Sequence, residues 1–162
     1  MFKRLWNAIR VLRGLDPELE DVRAMHLKFG ILSFEEPGFL TKRKMRERLQ
    51  CLREEVDELE DAVESDDIAG MTDALIDIGV FLKGTAVMLG LRRVWRRSWA
   101  EVDRANMSKI RGVGHRGHAV DLIKPPGWSP PSHLVHLHAE GLDRSTYVNR
   151  RDDAGAPKEA TP

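Results

Sequence analysis

The sequence predicts an all-α fold, an antiparallel helical bundle. Between 42 and 63, Met45, Leu49, Leu52, Val56, Leu59 and Val63 recur at spacings of four and three, a helical seam over more than five turns. A second stretch, from about 68 to Leu89, is apolar nearly all round from Ala74 onward, as expected of a helix buried on several sides. Helix start and stop residues punctuate the chain at matching intervals: Asp16-Pro17, Thr41 and Asp66 or Asp67 as starts, Gly30 and Gly90 as stops.

With 162 residues, the chain fits one domain and a tail. The divisions read as an N-terminal amphipathic helix at 1–14, a helical domain at 15–138 with a Gly/Pro-rich loop at 111–131, and a disordered polar tail at 139–162. Lys and Arg number 26, Asp and Glu number 26, so nothing favours bulk nucleic-acid binding. Cys51 is the only cysteine, which excludes a disulfide framework and suits a reducing, cytoplasmic setting. It reads as packing on a helix.

In residues 1–14, Phe2, Leu5, Trp6, Ile9 and Leu12 share one face, with Lys3, Arg4, Arg10 and Arg13 elsewhere. The segment is too short and too charged to span a bilayer, and a helix capping the core or a dimer seam is expected. Asp16 then caps a helix with Pro17 at its first position, running through DVRAMHLKFG to Gly30. ILSFEEPGFL is a loop.

The long helix after Thr41 carries Glu54, Glu55 and Glu58. Glu55 and Glu58 border the seam on a stripe with Arg48, Cys51 and Ala62, and neither has a basic residue three or four positions away to pair with. The next helix carries Asp73 and Asp77 one turn apart, with Asp77 in an apolar run. A buried carboxylate requires a partner or a metal. Carboxylates on adjacent helices repel unless a cation sits between them, and oxygen-only ligands suit Mg²⁺ or Mn²⁺. A solvated acidic face and a buried salt bridge are the structural alternatives; Lys83 is not on the face of Asp77.

A fourth helix follows, with Trp95, Trp99 and Val102 as its buried stripe, continued by Asn106 and Lys109. Asn and Lys at a helix end suit a phosphate-bearing ligand, or simply an amphipathic helix ending in a basic residue. The 111–131 segment reads as a binding loop without regular helix or strand. His133, His136 and His138 lack the Cys or acidic residue that would complete a zinc spacing. No Walker-type loop, GxGxxG or nucleophilic triad is present, so the chemistry, if the chain has any, is metal chemistry.

LREEVDEL (52–59) followed by DALIDIG (73–79) resembles the all-α nucleotide pyrophosphohydrolases, the superfamily of MazG, dimeric dUTPases and phosphoribosyl-ATP pyrophosphohydrolase. DVRAMHLKFG, GTAVMLGL, EVDRANMSKIRG and KPPGWSPP extend the likeness over about residues 16–135, toward the branch common in phages and bacteria. The resemblance implies hydrolysis of a nucleoside triphosphate between the α- and β-phosphates, with two or three Mg²⁺ or Mn²⁺ ions per site. It places metal ligands at Glu55, Glu58 and Asp77, and Glu54 or Glu55 as the group that handles the water. The usual second motif has an acid three positions before its aspartate; here that position is Ala74, and Asp73 serves instead. His26, Lys28 and Phe29 would approach the base or phosphates, and Arg104, Asn106, Lys109 and Lys124 would contact phosphates or sugar. The family implies a homodimer or dimer of dimers; the balanced charge and the short, charged N-terminal helix predict no nucleic-acid or membrane partner. Three readings follow: a (d)NTP pyrophosphohydrolase, dGTP being one concrete substrate; a phosphoribosyl-ATP pyrophosphohydrolase; and a non-catalytic helical nucleotide-binding module.

Overall fold

The computed structural model describes residues 9–12, 14–112 and 121–142. Its elements are α1 (Pro17–Lys28), α2 (Lys42–Glu64), α3 (Ile68–Met88), α4 (Trp95–Met107), β1 (Ile110–Gly112), β2 (Asp121–Ile123) and α5 (Leu134–Ala139). Residues 9–12 are also helical; the remainder of the 1–14 amphipathic helix, the tip of the 111–131 loop and the tail beyond 142 lie outside the described residues. No helix among the described residues is long and apolar enough to cross a membrane.

Local chemistry sets the boundaries. The Asp16 side chain accepts from the Leu19 N–H at 2.9 Å, and Pro17 opens α1. Thr41 caps α2 through the Lys44 N–H. Of the two aspartates in the next turn, Asp67 caps α3 by accepting from Ala69, while Asp66 takes a left-handed φ of 52°. Gly90, at φ 71°, ends α3: its N–H donates to Val87 and that of Leu91 to Ala86.

Helices α2 and α3 form an antiparallel pair, with Ala62 against Gly70 at one end and Arg48 against Gly84 at the other. α1 packs on α3. The core gathers Leu19 and Val22 of α1 with Ala86 and Val87 of α3, covered by Val80, Leu91 and Trp95. Ion pairs from Lys83 to Glu18 and from Arg92 to Glu20 tie α1 to the C-terminal half of α3 and the segment beyond it.

Four expectations are corrected. The face of α2 turned onto α3 is the stripe of Arg48, Glu55 and Ala62; the seam residues Leu49, Val56 and Val63 stay exposed. The Arg48 guanidinium decides this locally, because its donors need the Phe81 carbonyl and Thr85 hydroxyl on α3. α3 is not covered all round: residues 84–88 are buried, but Leu75 and Ile76 are 56% and 63% exposed. Of the stripe expected on α4 only Trp95 packs on the core, and the buried residue of that helix is Ala105; Trp99 is 67% exposed and Val102 is also exposed, since α4 packs only lightly on the other helices. Finally, the 111–131 region contains strand: β1 and β2 pair antiparallel, Ile110 opposite Ile123, a cross-strand match of β-branched residues.

Candidate functional site

Glu55 is the centre of the site. It lies on the stripe of α2 that faces α3, and its Oε2 is shut off from solvent with no hydrogen-bond partner. Burial raises its pKa above the ordinary glutamate value, and the charges of Glu58, Asp77, Glu54 and Asp73 raise it further. The other four acidic residues singled out in the sequence therefore lie within electrostatic reach of the Glu55 carboxyl group, two from α2 and two from α3. The α2–α3 turn makes this happen: a short connection capped by Asp67 folds the helices back so that 54–58 meets 73–77. As placed, no group of three or more His, Cys, Asp or Glu among the described residues is arranged to hold a metal ion. The donor set is nonetheless all carboxylate, and the unpaired Glu55 oxygen has the chemistry of a hard-cation ligand. Glu54, on the exposed side, accepts from Gln50 at 3.1 Å.

Two turns along the helix pair, about 10 Å by helical rise, lies a second cluster. His26 is 2% exposed, and its ring nitrogen would stand 3.1 Å from a Cβ at Gly84. Arg48 donates to the Phe81 carbonyl at 2.9 Å and the Thr85 hydroxyl at 3.1 Å, over the Phe81 ring. Burial lowers the His26 pKa and the Arg48 charge lowers it further, against a backbone hydrogen bond with Leu32. His26 is thus packed in the fold beside Arg48. Lys28 and Phe29 are exposed, with the ammonium 4.9 Å from the ring centre.

At the far end of α4, Lys109 donates to the Asn106 side chain at 2.9 Å. Arg104 donates to Glu101, to the Ser129 hydroxyl and to the Pro130 carbonyl, so its guanidinium holds the 124–132 segment. The Trp128 indole donates at 2.8 Å to the Ala105 carbonyl in the last turn of α4, which also accepts from the Ser108 hydroxyl, and Lys124 sits over the same indole at 4.5 Å. The Ser132 N–H donates to Glu101, and this bond, followed by Arg104, lowers the Glu101 pKa. Among the described residues, no hydrogen bond or ion pair joins Arg104, Asn106, Lys109 or Lys124 to the five carboxylates.

Sequence reasoning missed two features. Arg48 entered only as a neighbour on the Glu55 stripe, and its spacing of seven from Glu55 was the available signal. The bracing of α4 by Glu101, Arg104 and Trp128 had no local signature, because its partners lie more than twenty residues away.

A family model described as Phosphoribosyl-ATP pyrophosphohydrolase matches residues 22–106, just over half of the chain. The match runs from within α1 to near the end of α4 and contains all five carboxylates, but not Lys109 or Lys124. A search of curated proteins finds no match.

Proposed function

The chain belongs to the phosphoribosyl-ATP pyrophosphohydrolase family, within the MazG-like nucleotide pyrophosphohydrolase superfamily, and from that premise we propose that it hydrolyses nucleoside triphosphates, (d)NTP and water giving (d)NMP and pyrophosphate. The observation that carries this is the Glu55 oxygen, buried and unpaired within reach of Glu54, Glu58, Asp73 and Asp77.

Glu55, Glu58, Asp73 and Asp77 are the residues to hold Mg²⁺ or Mn²⁺, two or three ions per site. An ion held there would supply charge neutralisation for the phosphates and acidity for a bound water. Glu54, the exposed acid next in line, has the role of orienting or deprotonating the attacking water in this reading. The water oxygen bonds to the α-phosphorus, and the α–β bridging oxygen leaves with pyrophosphate. Lys109, fixed by Asn106, and Lys124 supply positive charge for the leaving group. The bonds of Arg104 to Ser129 and Pro130 favour a bracing role for it.

The protein acts in this reading as a homodimer or dimer of dimers. The exposed seam of α2 and the exposed Leu75, Ile76 and Leu82 of α3 offer the apolar face for a second copy. The matching family favours a second reading, phosphoribosyl-ATP as the substrate.

Pyrophosphate release from each common NTP and dNTP and from phosphoribosyl-ATP, with and without Mg²⁺ or Mn²⁺, tests both. Metal-dependent release, lost in Asp77→Ala, is expected, and the substrate that supports it selects the reading. A folded protein that releases nothing from any of them refutes both and leaves a nucleotide-binding module.

A further inference from the structure

The sequence RRVWRR sets four arginines, Arg92, Arg93, Arg96 and Arg97, at the opening of α4. This is the wrong end of a helix for cations, because its dipole is positive there. No acidic residue stands in the first turn, and no side chain caps it. Such a local conflict in a folded chain signals a demand other than helix stability.

The structure shows what the arginines surround. Arg92, Arg93 and Arg97 line a cavity of about 460 Å³ together with Gly14, Leu15 and Glu140. At ~30 Å³ per water, it has room for a polyatomic anion and its hydration. The charges do not balance. Arg92 is taken by Glu20, while Arg93 and Arg97 converge on the single carboxylate of Glu140 at 3.8 and 2.5 Å. Arg96 donates to the Val11 carbonyl and has no carboxylate partner among the described residues. Glu35, whose pKa Arg92 and Arg93 help to lower, is hydrogen-bonded to Arg23. Among the described residues, four guanidiniums thus share two carboxylates in direct contact.

We propose that this cavity is a binding site for a small phosphoryl oxyanion, inorganic pyrophosphate or the phosphate chain of a free nucleotide, with the Glu140 carboxylate as its displaceable in-chain occupant. One guanidinium already hydrogen-bonds an oxyanion there and a second stands 3.8 Å from it, and the planar fork of arginine matches phosphate oxygens as well as carboxylate oxygens. A phosphoryl group brings more charge and a third oxygen to the same donors. The site is separate from the carboxylate cluster: Asp77 lies eleven residues before Met88, the last residue of α3, about 16 Å of helix.

Calorimetric titration of the full chain in EDTA with inorganic pyrophosphate, inorganic phosphate and a nucleoside triphosphate tests this. Wild type and Asp77→Asn should bind alike, without divalent metal. Arg93→Gln with Arg97→Gln should weaken binding about tenfold or more, as loss of charge-assisted hydrogen bonds does. Glu140→Gln should tighten it, a gain that a misfolded variant cannot mimic. Arginine-dependent binding of any probe supports the site, and the tightest probe identifies the source. No binding to Glu140→Gln, or equal affinity in wild type and the double arginine variant, overturns it.

Discussion

Replacing Gly90 by alanine should be among the most damaging single-methyl changes available in this protein. Gly90 sits at φ 71°, where an L residue costs about 1–2 kcal/mol. A Cβ there would lie 3.0 Å from the Pro37 nitrogen and closer still to the Glu36 carbonyl. Those atoms are backbone, in a loop held to the end of α3 by the Gly38 N–H donating to Leu89, so they cannot rotate aside. Forcing an extra carbon into such a contact adds about 1–3 kcal/mol. The sum is about 2–5 kcal/mol, or roughly 8–20 °C in Tm at about 4 °C per kcal/mol. Gly30 is the control: its φ is 65°, but a Cβ would meet nothing within 4 Å. Gly30→Ala should carry the conformational cost alone, about 4–8 °C. Thermal unfolding of both variants by circular dichroism gives the comparison. Equal shifts, or a Gly90→Ala loss under about 4 °C, would refute the close approach of loop and helix.

His26, with its pKa lowered by burial and by Arg48, stays neutral in the fold while the unfolded chain takes up a proton near pH 6.5. Stability should therefore be full above that pH and fall on acidification from about 6.5 toward the folded pKa; His26→Gln should flatten Tm against pH in that window. Trp128→Phe keeps an aromatic face but loses the indole N–H that donates to Ala105 and part of the ring, and should cost at least about 0.5–1.5 kcal/mol in urea denaturation. Asp77→Asn removes one of the charges that raise the Glu55 pKa, so the variant should melt higher than wild type in EDTA, and added Mg²⁺ should stabilise only the wild type.

The helices were legible because their ends are written in single residues: Asp16-Pro17, Thr41 and Gly90 each act within one turn. That these acids sit near one another was legible for a related reason, since helical spacing alone aligns Asp73 with Asp77 and Glu55 with Glu58. Which face of α2 meets α3 was not. The apolar seam competed with a stripe holding an arginine and a glutamate, and long-range hydrogen bonds from Arg48 to α3 favour the stripe. The same limit hid His26, whose burial depends on a glycine fifty-eight residues away leaving space for its ring. The β1–β2 pair was obscured by its length, three residues a side, too short for alternation to register.

Hydrolysis in ¹⁸O-labelled water tests the proposed chemistry most directly. With Mg²⁺ present, attack at the α-phosphorus should put the label in the nucleoside monophosphate and none in pyrophosphate, and Asp77→Asn should release neither. Label in pyrophosphate or in orthophosphate, or turnover that persists in Asp77→Asn, would contradict attack at the α-phosphorus supported by this carboxylate cluster.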